Sequence, residues 1–134
     1  MTTITVPSEI RQTPEAKVLA MTETMVRGDT LGVAQFYADN ALLTDLKEFR
    51  FEGREAIDQR WTRLPTYSHW QLTVLETGGD ADTPHQRPHS VARMGVKGQE
   101  YIDEGYCFVV WKKQPDGDYR IHVDVYSPIK FEAL

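Results

Sequence analysis

The chain has 134 residues and only one cysteine, Cys107. That excludes an internal disulfide, and no Cys/His spacing of a metal site is present. Nowhere do Lys and Arg cluster into a basic run, and the net charge is −5. A nucleic-acid partner is therefore not expected, because phosphate binding needs clustered cations. No apolar stretch approaches the ~20 residues that cross a bilayer, so no membrane partner is expected. Residues 1–12 are Thr-rich and carry no apolar segment of the kind a secretory signal has. They read as a flexible leader, and the default setting is cytoplasmic.

What is present is an ordinary globular composition, with 40% hydrophobic and 26% charged residues. The length suits one domain, spanning 13–134. Thr13-Pro14-Glu15 is a helix start: a capping hydroxyl, proline in the first turn, an acid near the positive end of the dipole. Val18, Leu19, Thr22, Met25 and Val26 follow on one side. Gly28 suits a left-handed helix end, and Asp29 caps a short second helix stepping through Leu31, Ala34 and Tyr37. Ala41 to Asp45 reads as a short strand. Gly53 precedes a third helix with Ile57, Trp61 and Leu64 on one face, closed by Pro65.

Beyond Pro65 the period changes to two. Trp70, Leu72 and Val74 mark a strand, and residues 78–88 read as a polar loop. Ser90–Val96, Tyr101–Lys112 and Tyr119–Ser127 are further strands, with a Pro115-Asp116-Gly117 turn between the last two. Helices first, then a strand meander, define an α+β class. The expected shape is a cone-shaped roll: three N-terminal helices on a curved, mostly antiparallel sheet, with a pocket between them.

Particular residues then suggest chemistry. Asp45 stands among Leu42, Leu43 and Leu46, a costly place for a carboxylate unless it is paired or used. The last strand carries Arg120, His122, Asp124 and Tyr126 on one alternating face. Asp124 with His122 could share acid–base work, and a Tyr126 phenol could donate to an enolate oxygen. Met21, Met25, Phe36, Trp61, Cys107, Val109 and Trp111 are expected to wall the pocket. His85 and His89 fall in the 78–88 loop region and read as solvated, and His69 sits at a strand start. No metal and no cofactor is called for.

The segments around Gly28-Asp29, F-Y-A-D-N-A at 36–41, F-E-G-R-E-A-I at 51–57, W-K-K-Q-P-D-G-D-Y-R-I at 111–121 and the closing V-Y-S-P together resemble the nuclear transport factor 2-like superfamily. The likeness runs from about Pro14 to Pro128. It implies the cone fold, while the reactions hosted on that fold are diverse. Similarity to ketosteroid isomerase places that family's base at Asp45. It also puts Met21 and Cys107 where the family keeps its two oxyanion donors, so steroid isomerisation by that mechanism is not expected. Similarity to the SnoaL-like polyketide cyclases points instead to Asp124 and His122. Either Asp45 or Asp124 is thus the expected base.

The expectation is a small, cofactor-independent enzyme of the isomerase, cyclase or dehydratase type. It would abstract a proton beside a carbonyl in a small apolar substrate, such as a polyketide or other secondary metabolite. The alternative is a non-catalytic small-molecule-binding or assembly domain of the same fold. Epoxide hydrolysis, using Arg120 beside Asp124, ranks behind both. Tyr106, Phe108 and Val110 form an outward apolar stripe on the sheet, from which a homodimer is expected.

Overall fold

The computed structural model describes residues 13–134. The expected leader at 1–12 lies outside them. Helix α1 spans Pro14–Val26, α2 Thr30–Ala34 and α3 Arg54–Arg63. Six strands complete the chain: β1 Tyr37–Thr44, β2 Arg50–Glu52, β3 Tyr67–Gly78, β4 His85–Val96, β5 Gln99–Lys113 and β6 Tyr119–Ala133. They form one open sheet in the order β2-β1-β6-β5-β4-β3. Every pairing is antiparallel except β1 with β6. The α+β cone is therefore the observed fold.

Local chemistry explains the element ends. The Thr13 hydroxyl accepts from the Ala16 amide at 3.3 Å, opening α1. Gly28 at φ 88° turns the chain out of it, in a region that disfavours side chains with a Cβ. Asp29 then accepts from the Gly32 amide at 2.9 Å to open α2. Arg54 ties this corner to the next helix. Its guanidinium donates to the carbonyls of Ala34 and Tyr37 and pairs with Asp58 at 2.7 Å.

The buried side of α1 carries Val18, Met21, Thr22 and Met25, while Leu19 and Val26 are exposed. The apolar stripe is thus rotated from the expected one. α2 stops at Ala34, so Tyr37 begins β1 instead of continuing a helix. The segment expected as a loop at 78–88 is loop only over 79–84, because β4 already starts at His85. Pro88 sits inside that strand, and β6 runs on past Pro128 to Ala133.

One irregularity in β6 matters for the site. Val110 pairs with Val123 while Trp111 pairs with Ile121, leaving His122 as an extra residue against β5. The inward alternation changes phase there, so Ile121 and Asp124 are both buried. Trp111, Ile121, Ile57, Met25 and Val33 are almost wholly enclosed in the core. Burying each such side chain contributes about 1.5–3 kcal/mol. Among the described residues, no helix is long and apolar enough to cross a membrane.

Candidate active site

Between the helices and the sheet lies a cavity of about 80 Å³. Helix α1 supplies Val18 and Met21 to its wall, and α3 supplies Arg60 and Trp61. β5 contributes Asp103, Cys107, Val109 and Trp111, and β6 contributes Asp124 and Tyr126. Aromatic rings dominate one side: Trp61 lies 5.9 Å from Trp70, and Tyr67 meets Trp70 edge-on at 5.3 Å. Two carboxyl groups, Asp103 and Asp124, and three phenols, Tyr37, Tyr67 and Tyr126, interrupt the apolar lining.

Asp124 is the more deeply buried acid, at 8% exposure. Its Oδ2 accepts a hydrogen bond from the Tyr37 hydroxyl at 2.6 Å. Its Oδ1 is buried with no hydrogen-bond partner. Burial pushes this carboxyl up to about 6, against the lowering effect of the Tyr37 bond. Tyr37 is raised in turn, by burial and then by the adjacent carboxylate. A carboxyl that exchanges its proton near neutral pH, with one oxygen held and one free, is suited to general-base work.

Asp103 and Tyr126 make a second pair, with the phenol donating to Asp103 Oδ1 at 2.6 Å. Desolvation raises the Asp103 carboxyl, while Tyr126 and the Arg60 guanidinium pull the other way. Burial and this bond raise the Tyr126 phenol. Cys107 lies on the same wall, and burial pushes its thiol well up, reinforced by both aspartates. A thiol so disposed is a wall group, not a nucleophile.

The expected site residues divide cleanly. Asp124, Tyr126, Met21, Trp61, Cys107, Val109 and Trp111 all line the cavity. Asp45 does not. Its Oδ1 accepts from the amides of Phe49, Lys47 and Glu48 at 3.0, 2.8 and 2.8 Å, closing the turn from β1 to β2. Those bonds, Phe49's first, hold its carboxyl below the usual range. His122 is also absent from the wall, because it is the extra residue of the β6 bulge; its Nδ1 is buried without a partner. Met25 is fully buried in the core, and Phe36 packs at its edge with the Lys17 ammonium 5.8 Å from the ring centre.

Other side chains also sit differently from expectation. Arg120 faces Asp116 and Asp118 at 3.9 Å, not Asp124. His89 is paired with Glu104 at 2.7 Å, and His85 stacks on Phe108. Among the described residues, no group of three or more His, Cys, Asp or Glu could hold a metal ion. Asp103 and Tyr37 are among the cavity residues that the sequence reading does not assign to the site; Tyr37 is expected on the second helix instead. Asp103 had a usable signal, since it shares the alternating face of Cys107, Val109 and Trp111. Tyr37 had none, because Tyr-Ala-Asp-Asn-Ala carries little strand propensity.

Fold and cavity together define a small α+β cone with an acid-bearing apolar pocket. No family model matches the sequence, and no curated protein matches it. Solved structures do share the fold. A ketosteroid isomerase-like protein from Erwinia carotovora atroseptica superposes with a TM-score of 0.76 at 15% identity, over 93% of this chain and 99% of that one. A protein provisionally named an aromatic ring hydroxylase, from Novosphingobium aromaticivorans, gives 0.76 at 15% identity over 97% and 96%. One provisionally named a scytalone dehydratase, from the same organism, gives 0.74 at 12% identity over 94% and 87%. The expected nuclear transport factor 2-like fold is thus the one found, and at these identities the likeness speaks for fold alone.

Proposed function

We propose that this chain is a cofactor-independent acid–base enzyme acting on a small apolar carbonyl compound, of the kind polyketide or other secondary metabolism produces. Asp124 is the base. Its free Oδ1 takes the proton from the carbon beside the carbonyl, and Tyr37 steadies Oδ2 through the transfer. On the same wall the Tyr126 phenol donates its hydrogen bond to Asp103, so in this reading Asp124 itself returns the proton that it has taken up. Isomerisation, aldol closure and dehydration all begin with this step. The observation that carries the reading is the buried Asp124 carboxyl, with one oxygen held at 2.6 Å and the other without a partner.

Exchange of α-protons tests it without knowledge of the natural product. Cyclohexanone and cyclohex-2-enone are incubated with the protein in D₂O and followed by NMR. Exchange above the buffer rate is expected, and Asp124→Asn is expected to remove about 10²–10⁴-fold of it. Wild-type rates equal to buffer would remove the proposal.

The rival, a non-catalytic binding or assembly domain, draws on a separate observation. Tyr106 and Phe108 are 48% and 41% exposed on the outer sheet face. A second copy covering that face would make the homodimer, whether or not the cavity does chemistry.

A further inference from the structure

We infer that Trp61 and Asp124 act as a donor–acceptor pair that selects a one-ring compound bearing an enol or phenol oxygen. The inference deepens the acid–base reading and rests on it only in taking Asp124 as a group that meets the ligand. The chain has three tryptophans. Trp70 Nε1 donates to the Ser90 hydroxyl at 3.0 Å, and Trp111 Nε1 donates to Gln86 Oε1 at 2.8 Å. Trp61 Nε1 is buried with no partner. Trp61 is 6% exposed and belongs to the cavity wall. The other buried wall atom without a partner is Asp124 Oδ1. Tyr37 ties the two together, its ring 6.0 Å from Trp61 and its hydroxyl on Asp124.

Each orphaned atom leaves a desolvation cost uncompensated. One is a donor, the other an acceptor when ionised. A single hydroxyl oxygen answers both, accepting from the indole and donating to the carboxylate. A plain ketone answers only the indole, a hydrocarbon answers neither, and an anionic ligand is repelled by Asp124. Proton abstraction leaves an enolate and a protonated Asp124; return of that proton to the enolate oxygen gives the enol and restores the carboxylate, and the enol hydroxyl then has the oxygen that the pair requires. Shape restricts the choice further. The cavity of about 80 Å³ is smaller than the ~150 Å³ that holds benzene. A single small ring is therefore the largest body this cavity could take, and its entry requires the partly buried wall residues Trp70 and Leu72 to give way.

Phenol and toluene, which share a ring and differ by the hydroxyl, test this directly. Both are titrated calorimetrically into the wild-type protein and into Trp61→Phe, which keeps an aromatic ring and deletes the N–H. Wild type is expected to prefer phenol about tenfold, the worth of one net hydrogen bond, and Trp61→Phe to lose most of that preference. A second measurement needs no variant. In ¹H–¹⁵N spectra the Trp61 indole resonance is expected to move with phenol and to stay nearly still with toluene. Equal binding of the two, which would leave a trapped water as the occupant, overturns the inference. So does no binding of either, a preference unchanged in Trp61→Phe, or an unmoved indole signal. Failure of α-proton exchange with the phenol preference intact would remove the enzyme and keep this site; the converse would do the opposite.

Discussion

The hydroxyl of Tyr37, the first residue of β1, donates to the carboxyl of Asp124 in β6 across 2.6 Å. The two are 87 positions apart in the chain. The parallel pairing of β1 with β6 brings them together, and Arg54 holds the corner that delivers Tyr37.

Asp124→Asn should make the protein more stable at neutral pH. Burial raises this carboxyl from 3.8 to about 6, so the native chain keeps a proton that the unfolded chain gives up. The group's contribution to stability is complete below 3.8 and is lost as pH rises through about 6. That separation corresponds to ~3 kcal/mol, an upper figure for a fully buried group. Asparagine carries no charge to desolvate. Urea midpoints should therefore favour the variant at about pH 7.5 and converge with wild type near pH 4.

Tyr37→Phe removes a hydrogen bond that favours the ionised carboxylate. The Asp124 pKa should rise above its value of about 6, and the ascending limb of any pH–rate profile should move with it. Stability should fall by ~1–3 kcal/mol, as for a lost bond to a charged group. A ¹³C titration of the Asp124 carboxyl reads the shift without a substrate. An unchanged titration would mean that the phenol does not govern this acid.

Asp45→Ala should lower Tm by a few degrees and leave α-proton exchange at the wild-type rate. Three backbone amides lose their acceptor, while the cavity keeps all its wall groups. Because the native carboxyl is held below its ordinary value, its stabilisation is present above pH ~4 and fades as the solution is acidified. Loss of exchange in a folded Asp45→Ala protein would restore this residue as a candidate base.

Leu46 follows Asp45 with φ at 66°, and its side chain is 75% exposed. A left-handed leucine is strained, and nothing buried would be lost by changing it. Leu46→Asn or Leu46→Gly should stabilise the fold by ~0.5–1 kcal/mol in thermal unfolding.

Phe108→Glu should separate the proposed homodimer. Light scattering should give twice the 15.4 kDa chain mass for wild type and a single chain mass for the variant. A monomeric wild type would leave the outer apolar face without the partner we assign to it.

How much of this was legible beforehand depended on the range of the interaction. Thr13, Gly28 and Gly53 act within a few residues, and the helix boundaries they imply were readable. The antiparallel meander followed from the period of two. The pairing of β1 with β6 joins distant segments, and no local pattern encodes it. Asp45 illustrates the same limit in reverse: its leucine neighbours suggested a buried carboxylate, yet three amides within four residues had first claim on it. His122 is expected on the pocket face only if strict alternation is carried through a position where the strand holds one residue too many.

That surplus residue also bears on redesign. His122 is the one residue here that regular alternation does not need: without it Ile121 and Asp124 would stand two positions apart, the spacing that turns both side chains to the same face. A deletion at 122 therefore keeps the core residue and the acid where they are, and what it removes is the local bend and extra twist that a bulge adds. A one-residue deletion at 125, where the ladder is regular, acts differently, since it sets Asp124 and Tyr126 on opposite faces and breaks up the cavity wall.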